Sequence, residues 1–254
     1  MQSQTAAFDI ATDMDEVLVM TNDKWIKAIL SDKFLMAEMP KECRERAISS
    51  HPMNRPEYAL LSHFSDQHAA WDPMLQQRMM DKYFMDDCFY DDLAPARYYH
   101  MLYAMMEVGA LRSLTVVTAC VNLAYPVTKS KIRYLNKIFE PFKAAGVKVR
   151  FLFTEKGEKK SAAINDNGVE YHTFVDDHLH NIADVAQNTI SFNREFMIPR
   201  YRFNVNFPEA RRLQTEKDCK ILWFDNGLTL NGDRLMDRTQ LQQLHTGEEL
   251  AWHC

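Results

Sequence analysis

The stretch Phe8-Asp-Ile-Ala-Thr-Asp-Met-Asp-Glu-Val-Leu-Val19 decides the fold, because Asp13 and Asp15 stand where a short apolar run ends. If residues 8–12 form a buried strand, alternating side chains place Asp13 and Asp15 on the same side of its carboxyl end. Two adjacent carboxylates repel each other, and a divalent cation would offset that cost. A carboxylate beside such an ion can attack phosphorus. Taken alone, the Asp-x-Asp tripeptide is more typical of a solvated turn, so the rest of the chain must decide.

The bulk composition is that of a globular protein. The 254 residues are 46% hydrophobic and 26% charged, enough for one large domain or for a core with a smaller cap. The net charge of −5 argues against general nucleic-acid binding, although it leaves room for a small anionic substrate at a local site. The five cysteines are far apart and never in Cys-x-x-Cys spacing, which argues against a disulfide framework or a zinc site and favours a reducing cytoplasm.

Signals for targeting, membrane insertion and glycine-rich phosphate loops are missing from the sequence. The N-terminus lacks the basic-then-apolar pattern of a signal peptide, and no run of about 18 apolar residues could span a membrane. The seven glycines form neither a G-x-x-x-x-G-K-[ST] nor a G-x-G-x-x-G motif. We therefore expect a cytoplasmic protein with no membrane partner that binds phosphate, if at all, by other means.

Strand and helix patterns alternate in the second half of the chain. Runs of β-branched and apolar residues predict strands, and segments of helical periodicity predict helices between them. The strands are expected at 8–12, 114–119, 147–153 and 171–175, and the helices at 95–109, 130–145, 160–167 and 181–187. This alternation predicts an α/β fold with a doubly wound, Rossmann-like parallel sheet.

The remaining segments predict additions to that core. Residues 22–90 have mostly helical periodicity, which indicates a helical cap inserted between core segments 8–21 and 91–205. Phe196-Met-Ile-Pro199 is typical of an edge strand. Residues 206–254 form a C-terminal extension, in which Asn226-Gly227 between two apolar runs predicts a β-hairpin appendage of unassigned role.

Reactive side chains follow three of the predicted strands. They are Asp13-Met-Asp15, Thr118 and Asp176-Asp177, with the pair Lys159-Lys160 in a turn between the last two. Each has a plain alternative, since the acid pair could cap a helix, the threonine could end a strand and the lysines could be solvated. Parallel α/β sheets bind ligands at the carboxyl ends of their strands, so the shared placement indicates one site.

In this order the motifs resemble those of the haloacid dehalogenase-like superfamily of phosphatases. That pattern has an Asp-x-Asp after strand one, a Ser or Thr after strand two, a Lys opening a later helix and two acids after strand four. The matching positions are Asp13, Asp15, Thr118, Lys160, Asp176 and Asp177, with Asn181 also suiting the pattern. The resemblance covers about residues 8–205.

A narrower resemblance is to the 5′(3′)-deoxyribonucleotidase branch. The run from Phe89-Tyr90 to Pro95, followed by a helix and a strand, is similar to that branch's approach to its second motif. The run from Phe196 to Asn204 is similar to its strand after the fourth motif.

The chain departs from the family pattern at two places. Glu16 replaces the glycine usual after the second Asp, so the adjoining loop must accommodate a side chain. Either Lys159 or Lys160 could supply the motif lysine, and we prefer Lys160 because it directly opens the next helix. Lys129 and Lys131, which follow Thr118, fit that motif less well.

The resemblance implies a Mg²⁺-dependent phosphomonoesterase that works through an aspartyl-phosphate. Asp13 would be the nucleophile, and Asp15, protonated at the start, would be the general acid and base. Thr118 and Lys160 would hold the phosphoryl oxygens. Mg²⁺ would be bound by Asp13, the backbone carbonyl of Asp15 and an acid from the pair Asp176/Asp177.

The substrate implied is a small phosphorylated molecule, first of all a (deoxy)nucleoside monophosphate. Phe89 and Tyr90 could stack on its base, with packing at a hinge as the equal alternative. A second reading is a polynucleotide-end (3′-) phosphatase, because five arginines give the C-terminal third a basic character: Arg194, Arg200, Arg202, Arg211 and Arg212. A third is a catalytically silent binding module of the same fold.

Three other features invite functional readings with stronger plain alternatives. His178 and His180 beside the acid pair could bind zinc, although the motif context already explains the acids. Cys120 could act as a nucleophile but is more typical of a packed thiol. An acidic run could hold a second metal but is more typical of a solvated face: Asp86, Asp87, Asp91 and Asp92.

Overall fold

One parallel sheet forms the centre of the protein. The structure is a computed structural model that describes residues 7–49, 64, 71–120, 122–155, 157–190, 195–200, 212, 215–216 and 218–225. The six strands are β1 (Phe8–Thr12), β2 (Leu111–Ala119), β3 (Lys148–Thr154), β4 (Thr173–Val175), β5 (Glu195–Arg200) and β6 (Lys220–Asp225). Their order is β3-β2-β1-β4-β5-β6, and every neighbouring pair is parallel. The predicted α/β fold with a doubly wound parallel sheet is confirmed.

Helices occupy most of the connections between the strands. After β1 come α1 (Asn22–Ser31), α2 (Lys33–Glu38), α3 (Lys41–Ser49), α4 (Trp71–Arg78), a π-helical turn (Met79–Tyr83) and α5 (Arg97–Glu107). The later helices are α6 (Pro126–Ile138), α7 (Glu140–Ala144), α8 (Lys160–Asp166) and α9 (Leu179–Asn188). The single helix predicted over 130–145 is divided at Phe139, because Pro141 lacks an N–H and starts a new first turn. Among the described helices, none combines the length and the apolar character needed to cross a membrane.

The strand order places a crevice beside the end of β1. The chain moves from β1 to β2 and β3 on one side, and β4 to β6 lie on the other side. Such a reversal point is where open α/β sheets bind ligands. Thr12 is in register with Val116 of β2 and Val175 of β4. The residues that directly follow Thr12 and Val175 therefore emerge side by side.

Apolar side chains cover both faces of the sheet. One cluster joins Ile10 of β1 to Trp25 and Ile29 of α1. The other packs the opposite face against Ile164 of α8 and Ile182 of α9. The helical segment after β1 thus shares a hydrophobic core with the sheet, while the division into core and cap remains a prediction.

The C-terminal region contributes to the sheet. β6 pairs with β5 from Glu195 opposite Lys220 to Arg200 opposite Asp225, so this strand belongs to the core sheet although it lies beyond the predicted core limit at residue 205. Residues 226–230, the rest of the predicted hairpin, lie outside the described residues. Because β6 covers β5, the stretch that begins at Phe196 is an interior strand, and the prediction of an edge strand is wrong.

Candidate active site

Three carboxylates meet at the carboxyl edge of the sheet. Oxygen atoms of Asp13, Asp176 and Asp177 all lie within 4.8 Å of one another. The backbone N–H of Asp13 donates to the carbonyl of Val175 at 2.7 Å, which fixes Asp13 beside the end of β4. A donor set made only of carboxylate oxygens suits a hard cation such as Mg²⁺. The structure therefore brings together the acids predicted from the sequence.

The ammonium group of Lys160 lies inside this acid cluster. Its Nζ is 2.9 Å from Asp13 Oδ1 and 2.7 Å from Asp176 Oδ2, and the side chain is 5% exposed. Lys159 is 71% exposed and its nearest acidic partner, at 3.9 Å, is Asp184. Of the two lysines left open by the sequence, Lys160 is the one that reaches the cluster.

Residues at the start of α9 and within it form hydrogen bonds that hold the cluster in place. The carboxylate of Asp176 accepts hydrogen bonds from the backbone N–H of His178 at 2.8 Å and from Asn181 Nδ2 at 2.9 Å. The carboxylate of Asp184 accepts from the backbone N–H and the hydroxyl of Ser161 at 3.0 and 2.9 Å, which anchors the first turn of α8. Asn181, suggested by the sequence, thus acts on Asp176, and α9 positions the segment that carries Lys160.

The charges within the cluster are unevenly balanced. Burial raises the pKa of Asp177, and the neighbouring charges of Asp176 and Asp13 raise it further. Burial would also raise the pKa of Asp13, but the ammonium groups of Lys160 and Lys131 outweigh it and lower that pKa. Burial alone would lower the pKa of Lys160, but the negative charges of Asp13 and Asp176 outweigh it and raise that pKa. Asp13 is therefore an ionised carboxylate, while the protein neighbours of Asp177 oppose its ionisation.

Thr118 presents a buried hydroxyl at the same edge. It lies two residues beyond Val116, which is in register with Thr12, the residue before Asp13. The side chain is fully buried, and its Oγ1 has no hydrogen-bond partner among the described residues. Because a buried polar atom without a partner costs free energy, this hydroxyl is suited to donate to a ligand oxygen.

Asp15 has a different environment from the other acids. Its Oδ2 lies 2.6 Å from Lys131 Nζ, and its Oδ1 accepts a hydrogen bond from Tyr90 Oη at 3.0 Å. Burial and the charge of Asp15 raise the pKa of Tyr90, so the phenol remains a donor. The structure therefore places a donor at each oxygen of Asp15, and the expectation that Asp15 starts protonated stays a prediction.

Lys131 is the site residue that the sequence argument underrated. From the sequence, Lys131 was considered only as a weaker alternative to Lys160 for the motif lysine. In the structure, its Nζ donates to the carboxylate of Asp15 and to the carbonyl of Ala119, the latter at 2.7 Å. The available signal was its position in α6, four residues from Val127 and four from Leu135, both buried. A lysine on the apolar stripe of a helix must find a buried acceptor.

Glu16 has an explanation in the helix that follows it. Its backbone has a φ of 58°, the left-handed region that favours glycine. The carboxylate turns back to accept hydrogen bonds from the backbone N–H of Asn22 at 2.6 Å and from the hydroxyl of Thr21 at 3.1 Å. Glu16 therefore caps α1, which offsets the cost of its conformation, on the order of 1 kcal/mol.

Phe89 and Tyr90 are engaged in contacts within the protein. The ring of Phe89 stacks on Trp25 with centroids 3.9 Å apart, and Phe89 is 2% exposed. The hydroxyl of Tyr90 is committed to Asp15. These contacts correspond to the hinge-packing alternative, and stacking of either ring on a substrate base remains a prediction.

The other candidate metal ligands form no second buried group of three among the described residues, although His178 Nε2 lies 3.5 Å from Asp177 Oδ2. The described residues contain one further group with metal-ligand chemistry, Asp86, Asp87 and Cys88, and all three are exposed. The rings of His178 and His180 lie 5.0 Å apart, but neither histidine belongs to a group of three ligands among the described residues. The zinc interpretation therefore gains no support from the described geometry.

Comparisons with known proteins give structural likenesses at low similarity. No protein-family model matches the sequence, and no curated protein matches it either. Among solved structures, the chain is similar to a protein of Burkholderia xenovorans LB400 described as a haloacid dehalogenase-like hydrolase, with 12% identity and a TM-score of 0.44, covering 90% of this chain and 100% of that one. A dehalogenase with an intermediate complex has 11% identity and a TM-score of 0.44, and another dehalogenase structure has 10% and 0.42; each match covers 96% of this chain and 97% of the other. At these values, the chemistry of the site has to be argued from its own residues.

Proposed function

We propose that this chain is a hydrolase of the haloacid dehalogenase-like kind, a Mg²⁺-dependent phosphomonoesterase that forms an aspartyl-phosphate on Asp13. The observation that carries the proposal is the meeting of Asp13 with the ammonium group of Lys160 and the acids Asp176 and Asp177 at the carboxyl edge of the sheet. The hydroxyl of Thr118 at the same edge, which has no hydrogen-bond partner in the described part of the chain, supports it. A site with nucleophile, cation and free donor suits phosphoryl transfer.

The first half-reaction is the transfer of the phosphoryl group from the ester to Asp13. A carboxylate oxygen of Asp13, ionised because its pKa is lowered, forms a bond to phosphorus as the bond to the ester oxygen breaks. Lys160 neutralises the negative charge of the nucleophile and of the phosphoryl oxygens, and the Thr118 hydroxyl donates to one of those oxygens. Lys160 is already buried 2.9 Å from Asp13, and Thr118 is buried at the end of the neighbouring strand, so little reorganisation is needed.

Asp15 moves the protons in both half-reactions. In the second, it takes a proton from the water that attacks the aspartyl-phosphate, while Lys131 and Tyr90 hold its two oxygens in place. In the first, it gives a proton to the leaving oxygen. A phosphate ester with a second pKa of about 6 can bring that proton to the site in its monoanionic form.

The acid cluster fits Mg²⁺, which when bound would stabilise the charge of the phosphoryl oxygens. Asp13, the backbone carbonyl of Asp15 and Asp177 are the residues that would hold it. Asp176 already accepts hydrogen bonds at both carboxylate oxygens, so its suggested task is to position its neighbours. Asp177, whose charge is opposed by Asp176 and Asp13, gains most from a cation.

The resemblance of the sequence to the deoxyribonucleotidase branch makes nucleoside monophosphates the first substrates to test. The alternative, a polynucleotide-end phosphatase, depended on five arginines of the C-terminal third. Of these, only the side chain of Arg212 is described, and it is exposed. No contact of the described residues favours the alternative.

The test is phosphate release from a panel of compounds, with Mg²⁺ or with EDTA, at low and high salt. The panel contains nucleoside 5′- and 3′-monophosphates, sugar phosphates and a 3′-phosphorylated oligonucleotide. We expect Mg²⁺-dependent release from mononucleotides with little effect of salt. A preference for the oligonucleotide that falls steeply with salt would favour the alternative. Release from none of the compounds would contradict the phosphomonoesterase.

A further inference from the structure

Tyr90 reaches Asp15 from the segment that links the helices after β1 to α5. Its hydroxyl donates to Asp15 Oδ1 at 3.0 Å, and it is 5% exposed. Tyr90 is not one of the residues of the four motifs that suggest a phosphatase. On the basis of the function proposed above, we propose that Tyr90 is a positioning residue that aims the Asp15 carboxylate at the attacking water during hydrolysis of the aspartyl-phosphate.

The position of Tyr90 is fixed from several directions. Its backbone N–H donates to Ser130 Oγ of α6 at 2.8 Å. Its ring packs edge-on against Phe89, with centroids 5.1 Å apart, and lies 6.2 Å from the ring of Tyr134. A phenol held at both its backbone and its ring presents its hydroxyl in one direction.

Tyr90 and Lys131 divide the two oxygens of Asp15 between them. Lys131 Nζ lies 2.6 Å from Oδ2, while Tyr90 donates to Oδ1. The Asp15 side chain is 31% exposed, so packing alone does not fix it. A carboxylate with a donor at each oxygen has its plane set, whereas one with a single donor can rotate about its Cβ–Cγ bond. The hydroxyl of Tyr90 therefore determines the direction of the carboxylate.

The step that depends on this direction is the second half-reaction. A water oxygen forms a bond to phosphorus, the bond from phosphorus to the Asp13 oxygen breaks, and the water proton passes to Asp15. The products are inorganic phosphate, the free carboxylate of Asp13 and a protonated Asp15, which returns its proton to solvent. A general base must lie within about 3 Å of the proton it removes, so a rotated carboxylate slows this step.

The experiment compares Tyr90→Phe with the wild-type chain on 2,4-dinitrophenyl phosphate in the presence of Mg²⁺, by rapid mixing. The dinitrophenolate departs without receiving a proton, so formation of the aspartyl-phosphate does not need Asp15, while its hydrolysis does. The matched control is Tyr134→Phe, which removes the hydroxyl of a neighbouring buried tyrosine that has no hydrogen-bond partner among the described residues.

For Tyr90→Phe we expect a burst of dinitrophenolate close to one equivalent per chain, with a rate constant within about threefold of the wild type. Steady-state turnover should fall by roughly tenfold or more, because general-base catalysis contributes on the order of 100-fold or more. The burst also shows that the variant is folded. Tyr134→Phe should match the wild type in both phases.

Two results would overturn the role of Tyr90 while the proposed function stands. One is unchanged turnover in Tyr90→Phe, and the other is a burst and a turnover that fall by the same factor. A wild-type chain that releases no dinitrophenolate would overturn the proposed function itself, together with this role.

Discussion

Strand β1 carries a buried aspartate near each end, and the protein neutralises the two very differently. Asp9, near the amino end, accepts hydrogen bonds from Arg112 Nε at 2.9 Å and from Ser113 Oγ at 2.6 Å. Burial would raise the pKa of Asp9, but these two partners outweigh it and lower the pKa. At the carboxyl end, Asp13 and its two acidic neighbours receive the ammonium group of Lys160, with Lys131 farther off on Asp15.

The difference indicates that Asp9 stabilises the fold, whereas Asp13 has the surroundings of an acid that would bind a ligand. Both of those hydrogen bonds to Asp9 go to its Oδ1, and Arg112 Nη2 donates to Oδ2, so both oxygens are satisfied. The cluster around Asp13 keeps an excess of negative charge, visible in the raised pKa of Asp177, and beside it a hydroxyl of Thr118 without a partner among the described residues. Excess charge and a free donor are what a cation and a phosphoryl group would relieve.

The largest expected effect is on catalysis. Asp13→Asn should lower phosphate release by at least about a thousandfold, because it removes the proposed nucleophile. Asp9→Asn, the same change at the other end of the strand, should keep activity within about threefold, provided that the chain remains folded. Both are measured with a mononucleotide and Mg²⁺. Equal losses in the two variants would show that the ends of β1 do not differ in function.

Binding of Mg²⁺ should distinguish the two ends next. At a Mg²⁺ concentration about 100 times its Kd, the wild-type chain should gain about 2.7 kcal/mol in free energy of unfolding. The gain should persist in Asp9→Asn and largely disappear in Asp177→Asn, which loses an expected ligand. Thermal unfolding with Mg²⁺ and with EDTA measures this without any substrate. A gain that survives in Asp177→Asn would place the cation elsewhere.

Stability without metal should change in opposite directions at the two ends. Asp9→Asn should lower the free energy of unfolding by about 1–2 kcal/mol, less than for a buried pair because Arg112 is 54% exposed. Asp177→Asn should leave it unchanged or raise it by up to about 1 kcal/mol, since the cost of keeping a carboxyl group among buried acidic neighbours is removed. Urea unfolding at neutral pH in EDTA provides both values. A clear loss in Asp177→Asn would mean that its charge is already compensated.

The last expected effect is on the pH dependence of stability. Because the pKa of Asp177 is raised, the folded chain holds a proton that the unfolded chain has released above pH of about 4. The free energy of unfolding should therefore fall as pH rises from there to the raised pKa, by at most about 1.4 kcal/mol per unit. Asp9 behaves oppositely, since its lowered pKa means that its contribution is lost only as pH falls below about 4.

The measurement for this prediction is the free energy of unfolding of the wild type and of Asp177→Asn in EDTA, between about pH 5 and about pH 8. The wild type should lose stability more steeply with rising pH than the variant. Parallel curves would contradict the charge excess assigned to the carboxyl end of β1.

Local sequence patterns predicted the parts of the site that lie at the ends of regular elements. Asp13 and Asp176 follow apolar runs that form β1 and β4, and Lys160 opens α8, so each could be placed from strand and helix signals alone. Because the carboxyl ends of neighbouring parallel strands lie at one edge of the sheet, no further information was needed to predict that these residues meet. This is why Asp13, Lys160 and the acid pair could be expected at one edge of the sheet, where the structure brings them together.

The contacts that escaped prediction depend on tertiary structure. Lys131 and Tyr90 meet at Asp15 from α6 and from the segment before α5, and their sequence separation from Asp15 exceeds 70 residues in both cases. The pairing of β6 with β5 likewise depends on how the C-terminal segment folds back, which a hairpin signal such as Asn226-Gly227 does not contain. Glu16 shows the same limit locally, because its role depends on where α1 begins.

The most direct test of the central claim is to identify the residue that becomes phosphorylated. The chain is mixed with Mg²⁺ and a phosphate ester that it hydrolyses, and the reaction is quenched during turnover. Borohydride then reduces an aspartyl-phosphate to homoserine, and the peptides are analysed by mass spectrometry. The account predicts homoserine at position 13 in the wild type and unmodified Asp9 in the same chain. Turnover that leaves Asp13 unmodified, or that modifies another residue instead, would contradict it.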